Sequence, residues 1–295
     1  MRAASQANET WLGDGFALRV NFRGDLGRLK REAELAAQLP VSARYPGVLT
    51  CGDDGVIEWL LSRRVAGVAL AHAWPDLEDR QRAQAIRDLA DALRALHGVD
   101  ARALAGDREL APPHVLPLAP LVELIEKLAD RRLLPLELAA ALRRHVEGRW
   151  DAFDEGNVGL VHGDPHLENV LWDGAQVSAV LDLEWARRSY LECDLETLLS
   201  FFDHPRLFVA VEHEPRARAE DYAEAPAWLC DRYPELFAHP RLADRLGILH
   251  LSRTLTIVDE SPSPAAVSPL RLAQLRAVLS GSSFLDRAAS TLRGQ

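Results

Sequence analysis

Residues 160–174 read LVHGDPHLENVLWDG, two short apolar runs enclosing two histidines, two acids and an asparagine. Burying polar side chains without partners is costly, so the interruption marks a loop presented by strands. Leu160-Val161 ends one apolar run, Val170-Leu171-Trp172 forms the next, Gly174 turns the chain, and "VSAVLDLEWA" supplies a third. The pattern predicts strand, loop, strand, turn, strand, with His162 to Asn169 on the loop and Asp182 at the end of the last strand. Polar groups projected by a loop from a rigid scaffold are a frequent design for a site.

Asp164 and Asn169 are five residues apart, and Asp182 follows Asp164 by eighteen, across a hairpin able to bring the three together. Two carboxylates and an amide oxygen form a hard, oxygen-rich corner. Magnesium suits such a corner, because it prefers oxygen ligands and keeps waters or substrate phosphates. A carboxylate left off the metal could orient an attacking hydroxyl and accept its proton. A second class is a metal-dependent hydrolase: His162, Asp164 and His166 alternate like ligands, and histidine prefers transition metals. Asn169 and Asp182 fit that class poorly, and stoichiometric zinc would distinguish it.

Outward from this stretch, the chain changes character twice. In the first sixty residues "ETWLGDGFALRV" has two apolar runs around Gly13-Asp14-Gly15, and "GVLTC" and "VIEWLLS" flank "GDDG"; both read as hairpins. Between them "LGRLKREAELAAQL" has helical spacing, with Leu29, Ala33, Ala36, Ala37 and Leu39 near one face. After Gly67 the pattern is helical: Ile86, Leu89, Ala90, Leu93, Leu96 and His97 form one stripe. "PLVELIEKLADRR" and "PLELAAALRRHVEGRW" each begin with a proline suited to a first helical turn. Four more helices are expected after about Asp194, the last two separated by "DESPSPAAVSP". The expected fold is α+β, with a small sheet-rich lobe at 1–64 and a larger, mainly helical lobe at 65–295.

Composition removes several classes. The net charge of −10 disfavours nonspecific nucleic-acid binding, which needs a basic surface. No apolar run approaches the roughly 20 residues of a membrane span, and the N-terminus lacks the apolar core of a signal peptide. Three cysteines, Cys51, Cys193 and Cys230, are far apart and form no CxxC pair. A reducing cytoplasm is the expected setting.

The ordered residues resemble the aminoglycoside phosphotransferase family, which is similar to protein kinases in fold. Kinases place an aspartate base five residues before a metal-binding asparagine, and a second metal-binding aspartate follows. "HGDPHLEN" matches the first element and "LDLEWA" the second. The resemblance implies a two-lobed fold with an antiparallel-sheet N-lobe and a helical C-lobe. It implies Asp164 as catalytic base, and Asn169 and Asp182 as ligands of Mg2+. His162 would brace the loop, His166 would lie beside the site, and Asp194 in "CDLETLL" would start a helix. "FALRV" with "REAELAAQL" matches the strand basic residue and helix acid that cradle nucleotide phosphates, giving Arg19 and Glu32. Arginine's fork suits phosphate oxygens. "EWLLSRRVAGVAL" resembles the hinge, with Ala66 in place of the usual proline, so backbone groups of Ser62, Arg63 and Arg64 would meet the adenine of ATP. Upstream, only "SQANETW" matches the end of the family's glycine-containing loop, which implies a late start or a trimmed lobe.

The implied activity is transfer of the γ-phosphate of ATP to a hydroxyl of a small molecule: an aminoglycoside or other amine-bearing antibiotic, or a metabolite such as an amino alcohol or sugar. A catalytically weak nucleotide-binding relative is a further class, motivated by the incomplete loop. For the acceptor, Asp259 and Glu260 follow a helical stretch, an end where the helix dipole disfavours negative charge. A cationic acceptor would relieve that repulsion.

Overall fold

The computed structural model describes residues 2–3, 9–22, 26–100, 116–154, 156 and 158–291. In chain order its strands are β1 (Arg2–Ala3), β2 (Glu9–Leu12), β3 (Phe16–Asn21), β4 (Val48–Asp53), β5 (Glu58–Arg63), β6 (Val68–Ala69), β7 (Val158–Val161), β8 (Val170–Trp172), β9 (Val177–Val180) and β10 (Arg187–Tyr190). The helices are α1 (Arg28–Ala36), α2 (Leu70–Ala73), α3 (Asp79–His97), α4 (Leu118–Asp130), α5 (Leu136–Glu147), α6 (Glu192–Asp203), α7 (Ala225–Arg232), α8 (Leu242–Asp259), α9 (Pro269–Leu279) and α10 (Phe284–Thr291). Contacts divide the chain into two units, one of Met1–Arg108, Gly159–Ser189 and Ser200–Tyr233, the other of Glu109–Val158, Tyr190–Leu199 and Pro234–Gln295.

The first unit opens with an antiparallel sheet in the order β1-β2-β3-β5-β4. Both expected hairpins form. Gly13 N–H donates to the Phe16 carbonyl at 3.0 Å in the first. In the second, Asp54 Oδ1 accepts from the amides of Val56 and Ile57, both at 2.9 Å. Asp and Asn favour turns because their side chains satisfy nearby backbone in this way. Of "SQANETW", residues 5–8 lie outside the described residues, and Glu9-Thr10-Trp11 belong to β2.

Helix α1 buries Leu29 and Ala33 against Leu60 of the sheet, with Val48 and Cys51 beside them. The stripe on α3 is buried as its spacing predicts, from Ile86 through Leu89 and Leu93 to Leu96. Each fully buried leucine contributes about 1.5–3 kcal/mol relative to leaving it in water. Behind α3, β6-β8-β9 form a small sheet and β7 pairs with β10. An Asp173-Gly174 turn joins β8 to β9, with Asp173 Oδ1 accepting from Ala175 and Gln176 at 2.9 and 3.0 Å.

The second unit is helical. Its core gathers Leu121, Ile125 and Leu128 of α4, Leu138 and Leu142 of α5, and Leu251 and Leu255 of α8. Pro120 and Pro135 sit at helix starts, although α4 begins two residues before Pro120. Buried Asp194 lies in the first turn of α6. Among the elements that the sequence reading did not single out are α10, the two-residue strands β1 and β6, and β10, whose RRSY carries no apolar alternation.

The expectation attached to Asp259 is corrected here. Asp259 does end α8, but its carboxylate accepts from Lys127 Nζ at 2.8 Å and Arg131 Nη1 at 2.5 Å. Arg131 also donates to the carbonyls of Asp259 and Ser261 at 2.9 and 3.0 Å. Two cations of the same unit already answer the charge and the open helix end, so Asp259 supplies no argument for a cationic acceptor.

Candidate active site

The residues assigned to the base, the metal and the nucleotide all fall in the first unit, whereas Asp259 and Glu260 lie in the second. β7 delivers the loop that begins at fully buried His162. Asp164 N–H donates to His162 Nδ1 at 3.2 Å, and His162 Nε2 lies 2.9 Å from the Leu181 carbonyl. A carbonyl only accepts, so Nε2 carries the proton and Nδ1 the lone pair. Both ring nitrogens are therefore spent holding the loop against the segment that leads to Asp182. That answers the hydrolase alternative on geometry: His162 has no nitrogen left to ligate a metal.

Gly163 makes this approach feasible. Its φ is +87°, and a Cβ there would stand 2.5 Å from the Trp185 carbonyl oxygen. Gly163→Ala therefore pays twice, in a left-handed conformation costing about 1–2 kcal/mol and in a backbone clash. Thermal denaturation is expected to shift down by about 4–8 °C, with turnover falling further than the loss of folded protein explains. An unchanged melt and turnover would contradict the close approach.

The loop then closes on itself. Asn169 Nδ2 donates to the Asp164 carbonyl at 2.9 Å, which orients the amide and fixes which end carries the oxygen. Leu181 N–H donates to the Asn169 carbonyl at 2.7 Å, placing Asn169 beside the residue that precedes Asp182. His166 Nε2 lies 3.1 Å from Asp164 Oδ2, and its ring packs against Phe201 and Phe208. Asp182 has φ +66°, a backbone region rare for a residue with a side chain and best tolerated by Asp and Asn. Strain of this kind persists where the surroundings over-determine it.

The front sheet reaches this corner through Arg19. Its Nη1 donates to Glu32 Oε1 at 2.6 Å and its Nη2 to Asp182 Oδ1 at 2.9 Å, with Glu184 Oε2 at 4.0 Å. Burial works against the guanidinium charge, but Glu32 and then Asp182 outweigh it and hold Arg19 charged well above its ordinary range. Glu32 is fully buried and its Oε1 also accepts from Tyr45 Oη at 2.6 Å and Leu183 N–H at 3.0 Å. Arg28 Nη1 donates to Glu184 Oε1 at 3.2 Å, and Arg31 donates to the carbonyl of Ala186. The family resemblance implied Arg19 and Glu32; nothing in the sequence pointed to Tyr45, Arg28 or Glu184, whose partners are decided by the tertiary fold.

Ser62, Arg63 and Arg64 end β5 and the turn after it. Ser62 pairs with Ala17 and Val48, and the amides of Arg63 and Arg64 donate to Gly47 and Gly15 carbonyls at 2.8 and 3.0 Å. Those two amides thus serve the sheet. The following segment is pinned elsewhere: Ser178 Oγ donates to the Ala66 carbonyl at 2.6 Å, and a Cβ on Gly67, with φ +135°, would stand 2.8 Å from the Trp172 carbonyl.

The donor set suits magnesium. Asn169 and Asp182 offer an amide oxygen and a carboxylate, both hard, on adjoining segments, too few to form a cage without waters or phosphate oxygens. Among the described residues no group of three His, Cys, Asp or Glu side chains is arranged to hold a metal.

Comparison with known proteins supplies independent findings. The model of the phosphotransferase enzyme family (APH) matches residues 4–230. Hygromycin-B 4-O-kinase of Escherichia coli is 26% identical over 260 residues, covering 82% of this chain and 69% of that enzyme. A choline/ethanolamine kinase family protein from Mesorhizobium loti superposes with a TM-score of 0.63 at 19% identity, over 99% of this chain and 92% of the other. A thermostable mutant of aminoglycoside phosphotransferase APH(4)-Ia, in ternary complex with ADP and hygromycin B, superposes with a TM-score of 0.56 at 16% identity, with the same two coverages of 99% and 92%. These likenesses establish a protein-kinase-like fold. No helix among the described residues is long and apolar enough to cross a membrane.

Proposed function

The chain belongs to the phosphotransferase enzyme family, and from that premise we propose that it transfers the γ-phosphate of ATP to a hydroxyl of an amine-bearing small molecule, an aminoglycoside first among them. The observation that carries the reading is the Arg19 guanidinium, shared between Glu32 and Asp182. It joins a phosphate-binding type of residue on the sheet to the carboxylate that follows the Asp164–Asn169 loop. The named activity of the E. coli relative and the net charge of −10 favour a cationic acceptor.

In this reading residues 1–64 hold the nucleotide and 65–295 carry the catalytic and acceptor-binding groups. Arg19, kept in place by Glu32, meets phosphate oxygens. The adenine lies against the backbone after β5; since the amides of Arg63 and Arg64 are engaged, the next amide, Val65, is the donor assigned to it. Asn169 and Asp182 would hold Mg2+, which when bound neutralises charge on the phosphates. Asp164 accepts the proton of the acceptor hydroxyl as that oxygen attacks phosphorus, and His166 steadies its carboxylate. The three cysteines are free thiols, in keeping with a reducing cytoplasm.

The test is ADP release by the purified chain with ATP and MgCl2 against aminoglycosides including hygromycin B, amino alcohols and neutral sugars. Turnover with an amine-bearing acceptor, weakening as salt rises because exposed charge pairs are screened, is the expected result. Turnover with neutral sugars alone would move the acceptor to another class. No nucleotide binding and no turnover would overturn the kinase reading.

A further inference from the structure

Arg44 and Tyr45 lie outside every motif that located the site, yet together they touch both sides of it. Arg44 has φ +57°, strained for a residue with a side chain. What holds it there is β9: Val180 N–H donates to the Arg44 carbonyl at 3.0 Å, and the Arg44 guanidinium donates to the Val177 carbonyl. Its other nitrogen reaches Asp88 Oδ1 at 3.3 Å, while Asp88 Oδ2 accepts from Val177 N–H at 3.0 Å. Arg44 is thus fastened to the strand that ends two residues before Asp182. The next residue, Tyr45, puts its phenol 2.6 Å from Glu32 Oε1.

We infer that Tyr45 is a positioning residue for the nucleotide: its O–H holds Glu32, and through Glu32 the Arg19 guanidinium, in register with Asp182. This rests on the reading of Arg19 as a phosphate-binding residue. Three donors, from Arg19, Tyr45 and Leu183, converge on Glu32 Oε1, while buried Oε2 has no partner among the described residues. A carboxylate held by one oxygen can pivot about it, so each donor limits where the other two can sit. Asp182 shares Arg19 with Glu32 in this structure. Once Asp182 turns to other partners, Glu32 at 2.6 Å is the close acceptor that fixes the direction of the guanidinium fork, Glu184 standing off at 4.0 Å, and Tyr45 with Leu183 N–H fixes Glu32. Burial and then the charge of Glu32 raise the phenol well above its usual range, so it remains a donor.

Tyr45→Phe removes the O–H and keeps the ring. Isothermal titration with ADP and MgCl2 is expected to give about tenfold weaker binding, as for a lost hydrogen bond to a charged group. The KM of the acceptor should stay within about twofold, a split that a general loss of folding would not produce. In an Arg19→Met background the same change should no longer weaken nucleotide binding, because coupled residues are not additive. Equal nucleotide affinity in Tyr45→Phe and wild type, or the full loss persisting without Arg19, overturns the inference and leaves the kinase reading standing. A wild-type chain that binds no nucleotide overturns both. If Tyr45→Phe and Tyr45→Leu both fail to fold, the residue is a packing element and the inference is wrong.

Discussion

Asp164→Asn is expected to slow phosphate transfer by roughly 100- to 10,000-fold, the usual cost of losing a general base, with nucleotide binding nearly unchanged. Two of the contacts that tie residue 164 to its surroundings are backbone: its N–H donates to His162 Nδ1 and its carbonyl accepts from Asn169 Nδ2. Both contacts survive a change of side chain. His166, facing Oδ2 at 3.1 Å, keeps an oxygen to meet if the amide is turned that way. What disappears is the negative charge that draws the proton from the acceptor hydroxyl. In barrier terms the loss is about 3–5 kcal/mol at 1.36 kcal/mol per tenfold. Single-turnover measurements would isolate the chemical step, and ADP titration would report binding. A folded Asp164→Asn chain that turns over like the wild type would remove Asp164 from its role.

The site was legible in sequence where one chain segment had to contradict its own apolar pattern. "HGDPHLEN" interrupts strands with groups that are costly to bury, so its residues announce themselves. Arg19 and Glu32 were found another way, through the resemblance of "FALRV" and "REAELAAQL" to a family pattern, since the residues by themselves would equally suit a surface salt bridge. The structure brings them to 2.6 Å, as the pairing requires. Tyr45 was not legible: a lone tyrosine after a left-handed residue has no period, and only the fold gives it Glu32 as a partner. The partners of the Arg63 and Arg64 amides were not legible either, because strand register decides that they donate to Gly47 and Gly15. Asp259 illustrates the reverse error. Helix-end electrostatics were read correctly, but Lys127 and Arg131, more than a hundred residues away, supply the compensation. Local rules predict which groups need partners; they do not say which partners arrive.

Asp182→Asn is expected to fail differently from Asp164→Asn, lowering turnover by roughly 100- to 1,000-fold and weakening metal-nucleotide binding as well. Asparagine is the right probe because the position has φ +66°. Alanine there would add backbone strain to the loss of charge, whereas Asn tolerates the left-handed region almost as Asp does. The segment itself stays anchored through its neighbours: Leu181 N–H on Asn169, the Leu181 carbonyl on His162, and Leu183 N–H on Glu32. Arg19 loses the carboxylate charge that it meets at 2.9 Å, with an amide oxygen left as acceptor there, but keeps Glu32 at 2.6 Å, so the guanidinium does not become an unpaired buried charge. The remaining effect is the missing carboxylate among the two protein oxygens assigned to Mg2+. An amide oxygen binds a hard cation more weakly than a carboxylate does, so Asp182→Asn should need more MgCl2 to reach half of its own maximal rate. Asp164→Asn, with both assigned ligands intact, should reach half of its rate at the wild-type concentration. If the two variants show the same magnesium dependence as the wild type, the metal does not sit on Asp182. If both shift together, the division of labour between base and ligand is wrong.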